Sequence, residues 1–154
     1  MHSKFTLNDS VPCVKKCKNK RCGCCESIIE CRVTTFEEGT VFQIKTTMDC
    51  NSSNLIYRLD CAGCNRTYIG QTGDKLLNRV RVHRQHVNNR EYAQLSASTH
   101  IPDCIKESKK WTPGMVKFYI TPFYKMRQNS TQTEREAKEL FFIHKFKPSL
   151  NRQS

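Results

Sequence analysis

Cys61 and Cys64 stand as a Cys-x2-Cys pair, and His100-x3-Cys104 follows downstream. Three thiols and an imidazole at these spacings suit a tetrahedral Zn2+. Four protein ligands leave no open position for a catalytic water, so such a site would be structural: it would tie the loop holding the pair to the segment after the next helix. Upstream, Cys17, Cys22, Cys25 and Cys50 form a Cys-x4-Cys-x2-Cys set closed by a distant fourth thiol, with Cys13, Cys24 and Cys31 as competitors for the same places. Ten cysteines would also suit a disulfide framework in a secreted chain, but the opening MHSKFTLNDSVPC lacks the apolar run of an export signal. Zinc is therefore the preferred reading and disulfides the competing one.

Charge carries a second kind of chemistry. There are 26 Lys and Arg against 14 Asp and Glu, a net charge of +12, and the excess is clustered. KKCKNKR, from Lys15 to Arg21, holds five cations; KLLNRVRVHRQHVNNR, from Lys75 to Arg90, holds five cations, two His and no acid. Clusters of this kind match the phosphates of nucleic acid, the bland alternative being a solvated basic surface. Only 37% of the residues are hydrophobic. No window approaches the roughly 18 to 20 apolar residues of a membrane span, so a soluble protein with no membrane partner is expected.

These residues need a scaffold to position them. A chain of 154 residues fits one compact domain, or a domain of about 100 residues with an appendage. The pattern changes near residue 50, dividing a Cys-rich extension (1–50) from the remainder (51–154). In the extension, RVTTF and TVFQIKT flank Glu37-Glu38-Gly39 and read as a hairpin. Its few apolar residues cannot make a core alone, so a structural metal is expected to help.

From residue 54, LIYRLD and TYIG read as an antiparallel pair of strands around the Cys61–Cys64 loop. Leu76, Leu77, Val80, His83 and Val87 then recur at helical spacing, with Arg79 at the edge of the stripe. Pro102 predicts that His100 precedes a short helix containing Cys104, with the proline in its first turn. GMVKFYITPF reads as a strand stopped by Pro122. Thr131 and Glu134 stand in capping-box spacing before a helix whose expected apolar face is Ala137, Leu140, Phe141 and Ile143, ended by Pro148. The class predicted is α+β, a small antiparallel or mixed sheet flanked by helices, with an N-terminal Cys-rich zinc-binding extension.

Tyr57 in LIY, Tyr68-Ile69-Gly70, the helix with Arg79 and His83, and REAKELFFIHKFKPSLN follow one another in an order that resembles the GIY-YIG nuclease family. The form most similar is the endonuclease domain of Penelope-like retroelements, which places a zinc-binding cysteine pair between the two motifs. That form also shares the YIGQT wording and the KPSLN-like ending, and has further cysteines upstream. One departure is Leu55, which stands where the first motif has its glycine.

The resemblance implies a metal-dependent DNA endonuclease that hydrolyses phosphodiester bonds, nicking target DNA so that the 3′ hydroxyl primes reverse transcription. It implies Glu136 as the carboxylate for Mg2+ or Mn2+ and Tyr57 as general base or water-orienting group, supported by Tyr68. Arg79 would clamp the scissile phosphate, His83 would relay a proton or bind phosphate, and Asn151 would close the site. The implied partners are target DNA, and beyond it the element RNA and a reverse transcriptase domain of the same longer chain; the implied compartment is intracellular and nuclear. The competing reading is a zinc-containing nucleic-acid binder without catalysis.

Overall fold

The computed structural model describes residues 11–89 and 96–151. The first ten residues, part of the stretch read for an export signal, and Arg90, the last cation of the second basic cluster, lie outside them. In chain order the elements are β1 (Val33–Thr35), β2 (Val41–Gln43), β3 (Leu55–Cys61), β4 (Thr67–Thr72), α1 (Leu76–Asn88), α2 (Ser96–Glu107), β5 (Phe118–Lys125) and α3 (Gln132–Phe146). The class is α+β. No helix among the described residues is long and apolar enough to cross a membrane.

The centre of the molecule is β3, flanked on both sides in an antiparallel sheet of order β4-β3-β5. Every residue of β3 is buried. Its run of large side chains without strict alternation fits a strand covered on both faces. The hairpin β1–β2 forms a separate two-stranded sheet. Its Phe36 stacks on Phe146 of α3 with ring centroids 3.8 Å apart and meets Phe123 of β5 edge-on at 5.1 Å. Phe42 joins the same aromatic cluster. The extension thus shares the core of the rest of the chain.

A buried polar tie reinforces this packing. Arg58 of β3 pairs with Asp60 at 2.8 Å, and its guanidinium also donates to Thr34 Oγ1 at 3.0 Å and the Thr35 carbonyl at 2.6 Å. A buried charge needs this full set of partners, and removing one of a pair costs about 3 to 5 kcal/mol. The hairpin is thereby fixed against the central strand. A further link runs to α1, whose first turn has no side-chain cap. The amides of Leu76 and Leu77 donate instead to the carbonyls of Ser52 and Cys50, at 2.8 and 2.9 Å.

The structure corrects the sequence reading in three places. Pro122 lies inside β5, opposite Tyr57, next to a register shift. β5 is a sheet-edge strand that pairs with β3 on one side, where a proline and a bulge are tolerated. Pro102 lies inside α2, and His100 is helical as well. The stripe Ala97, Ile101 and Ile105 is buried, and its packing outweighs the hydrogen bond that the proline removes. On α3 the capping box of Thr131 and Glu134 is present, but Leu140 and Phe141 are more than half exposed and Ala137 is exposed too. The buried side chains are Phe142 and Phe146, with Ile143 partly buried beside them, so the helix presents a face about 165° round from the expected one.

Candidate active site and metal centres

Tyr57 on the middle strand points into the space between sheet and α1. Its hydroxyl lies 2.6 Å from His83 Nε2 and accepts from Arg79 Nε at 3.2 Å. One helical turn separates Arg79 from His83, which is why both reach the same phenol. Tyr68 on β4 is nearly buried, its ring 6.3 Å from that of His83. Tyr57 stands directly opposite Gly70, and a Cβ there would lie 2.6 Å from the Tyr57 hydroxyl and 3.0 Å from Tyr68 Cε2. Gly70 is the residue that lets both rings lie where they do.

Burial sets the protonation of the group. It pushes both phenols above their ordinary pKa, with the Arg79 charge acting the other way. Burial, reinforced by Arg79, lowers His83 to about 3, so its imidazole is neutral at physiological pH. Burial also works against the Arg79 charge, but the phenols and Glu139 more than offset it and raise its pKa.

Glu139 is the carboxylate of this cluster, and the sequence reading had singled out Glu136. Glu136 is exposed and accepts from Gln132 Nε2 at 3.0 Å. Glu139 is half-buried and interacts electrostatically with Tyr57, Tyr68 and Arg79. Burial and the neighbouring Glu136 raise its pKa to about 7, against the pull of Arg79 and the Gln71 backbone. The assignment differs because the helix face differs: Glu139 precedes Phe142 by three residues and Phe146 by seven, on the buried side. That stripe was the available signal.

Asn151 acts on the backbone. Its Oδ1 accepts from the Ile69 amide at 2.6 Å, and its Nδ2 donates to the Ile69 carbonyl at 2.9 Å. It completes the hydrogen bonding of edge strand β4 between Tyr68 and Gly70.

Two sets of ligand atoms are brought together, each within 4.8 Å: Cys17, Cys22, Cys25 and Cys50, and Cys61, Cys64, His100 and Cys104. In the first, Cys25 Sγ lies 3.5 Å from Cys17 Sγ and 3.6 Å from Cys50 Sγ; in the second, Cys64 Sγ lies 3.2 Å from His100 Nε2. A tetrahedral zinc with Zn–S bonds of about 2.3 Å requires ligand separations of about 3.8 Å between sulfurs and slightly less to nitrogen. Both sets could therefore hold a zinc ion. Cys13, Cys24 and Cys31 stand outside them, and all ten cysteines are unpaired by disulfides. In the second set, Gly63 matters for the same reason as Gly70: a Cβ there would lie 2.9 Å from Cys104 Sγ. The loop can meet α2 because it carries no side chain at that point.

Comparison with protein-family models, curated proteins and solved structures gives no match to the chain.

Proposed function

We propose that the protein is a metal-dependent DNA endonuclease of the GIY-YIG type, of the kind that Penelope-like retroelements use to nick target DNA and prime reverse transcription. The observation that carries this reading is the convergence of Tyr57, Tyr68, Arg79, His83 and Glu139, from β3, β4, α1 and α3, on one place. A carboxylate whose ionisation burial opposes, placed beside Arg79 and two phenols, suits a site for a divalent cation.

Glu139 would hold Mg2+ or Mn2+, which when bound supplies charge to the leaving 3′ oxygen and the phosphoryl oxygens. Arg79 would clamp a non-bridging oxygen of the scissile phosphate with its remaining donors. Tyr57 Oη, held between His83 Nε2 and Arg79 Nε, would orient the attacking water. As the water oxygen bonds to phosphorus its proton leaves to solvent; the P–O3′ bond breaks, giving a 5′ phosphate, and the 3′ oxygen takes a proton from solvent to become a hydroxyl. Tyr68 packs beside His83. Leu55, at the place of the family's first-motif glycine, is a fully buried strand residue paired with Thr72 and Lys125, a position that tolerates a side chain. The zinc ions would hold the Cys61–Cys64 loop and the extension in place. Target DNA in the nucleus, with element RNA and a reverse transcriptase as companions, completes the reading.

A second reading is favoured by one observation: Tyr57 is fully buried and its hydroxyl already has two neighbours, as in a nucleic-acid binder that has lost catalysis. Nicking of supercoiled plasmid with Mg2+ or Mn2+ decides between them. Parent and Glu136→Gln protein are expected to nick, and Glu139→Gln to lose at least about 100-fold in rate. A folded parent that does not nick, or a Glu139→Gln variant as active as the parent, sinks the catalytic reading.

A further inference from the structure

The two basic clusters of the sequence, far apart along the chain, close over one cavity. Arg21 from the first cluster, and Arg81 and Arg84 from the second, line a depression of about 150 Å3 together with Leu77 and with Cys17 and Cys22 of the first candidate zinc set. Among the described residues no acid lines it. Arg84 joins the two segments: its Nη2 donates to the Gly23 carbonyl at 2.6 Å, and its only acidic neighbour within ion-pair range among the described residues is Glu26, at 3.8 Å. Arg21 and Arg81 are exposed. Three guanidiniums around so small a space repel one another until an anion enters, and their forked donors match phosphate oxygens. The volume lies below the several hundred Å3 of pockets that enclose a whole small molecule, which suits one phosphate of something longer.

A second depression of about 170 Å3 shares Arg84 with the first; Glu26 lines it too, beside Asn88 and Lys117, whose Nζ donates to Asn88 Oδ1 at 2.8 Å. From Leu77 to Asn88 the helix rises about 16 Å, the axial length of about five phosphates of one duplex strand.

We propose that this groove, between the cysteine-rich extension and α1, is a backbone track for DNA, binding successive phosphates at Arg21 with Arg81, at Arg84 and at Lys117. The choice of DNA as the polyanion rests on the nuclease reading. A linear run of cations along a helix fits a linear polyanion better than a flat layer of lipid headgroups. Arg79 and Arg84 are five residues apart, about 140° around α1, so the track and the Tyr57 cluster flank the helix on different sides. A helix about 10 to 12 Å thick matches the roughly 12 Å major groove, and one duplex can present phosphates to both flanks.

The test is the R21Q/R81Q variant of the full chain, with R81Q alone as a milder companion; both residues are exposed, and zinc content and circular dichroism confirm the fold. Binding to a labelled 20-base-pair duplex is read by anisotropy between 50 and 200 mM KCl without Mg2+. The slope of log affinity against log salt is expected to become shallower by about 1 for the double variant, which frees the phosphate shared by Arg21 and Arg81, and by less for R81Q alone, with binding weakened equally for unrelated sequences. An unchanged slope and affinity overturn the track. So does parent protein that binds phosphatidylserine vesicles or polyglutamate as tightly as the duplex and loses all three equally in the variant. The nuclease reading fails separately. A parent that never nicks while the variant loses its salt slope overturns the nuclease and keeps the track; a parent that nicks while the slope is unchanged does the reverse.

Discussion

Replacing Gly70 with alanine probes the site without touching any group proposed to react. The added Cβ would lie 2.6 Å from the Tyr57 hydroxyl and 2.7 Å from its Cζ, where ordinary contacts begin at 3.4 Å. The ring must therefore move by about 0.8 Å. It has nowhere easy to go, being fully buried with His83 at 2.6 Å and Arg79 at 3.2 Å from its oxygen. Overpacking of this kind costs about 1 to 3 kcal/mol. Loss of the phenol's two hydrogen bonds adds about 1 kcal/mol each. The stiffer unfolded chain returns about 0.5 to 1 kcal/mol. The net expectation is a loss of about 2 to 4.5 kcal/mol, which lowers Tm by about 5 to 15 °C in a chain of this size. A displacement of this order at a reacting centre costs about 100-fold in rate.

Urea unfolding and plasmid nicking measure the two losses, and a Tyr57→Phe, Gly70→Ala cycle tests their cause. If the hydroxyl is what the methyl strikes, the double variant recovers part of the sum of the two single losses. A Gly70→Ala protein within about 0.5 kcal/mol of the parent and equally active would refute the reasoning.

Two further outcomes follow from the same structure. Cys61→Ser is expected to lower bound zinc by one equivalent and to destabilise the fold by more than about 3 kcal/mol, because α2 loses its tie to the end of β3; unchanged zinc content by atomic absorption and an unchanged Tm would remove the four-ligand site. The pH profile of stability, taken without Mg2+, should be bounded by two groups of opposite sign. The fold depresses His83 from 6.5 to about 3, so the unfolded chain takes up the proton first and stability falls as pH drops from 6.5 toward 3. Burial raises Glu139 from 4.5 to about 7, so the folded state holds the proton longer and stability falls as pH rises from 4.5 toward 7. His83→Gln should flatten the difference on the acid side and Glu139→Gln on the neutral side; variants whose profiles parallel the parent's would contradict these assignments.

Both candidate zinc sets could be read from cysteine and histidine spacing because chelation needs few residues at short intervals, and the ligand atoms do lie together. The strands around the Cys61–Cys64 loop and α1 were likewise legible, since Leu76, Val80, His83 and Val87 repeat cleanly and are all buried. Helix α3 was harder. Its sequence ELFFIHKF offers apolar residues on most sides, and periodicity alone cannot choose between the face with Leu140 and the face with Phe142 and Phe146. The choice is made by Phe36 and Phe123, which come from distant elements. With it went the choice between Glu136 and Glu139. The two prolines misled for a related reason: a local rule predicts a break, while burial of Ile101 and Ile105 and the edge position of β5 keep the element going.

The carbonyls of Ser52 and Cys50 that receive the first amides of α1 bear on how the protein can be dissected. A cut after residue 50 follows the change in sequence pattern, yet it would separate a thiol ligand and its own carbonyl from the helix they support. The fragment left behind would keep Tyr57, Arg79, His83 and Glu139 but leave the Leu77 amide at the start of α1 without its acceptor, and it would bare the aromatic rings that Phe36 and Phe42 cover. An excision that respects the molecule keeps the first fifty residues. Grafting the tyrosine cluster elsewhere would mean carrying the cysteine-rich arm with it.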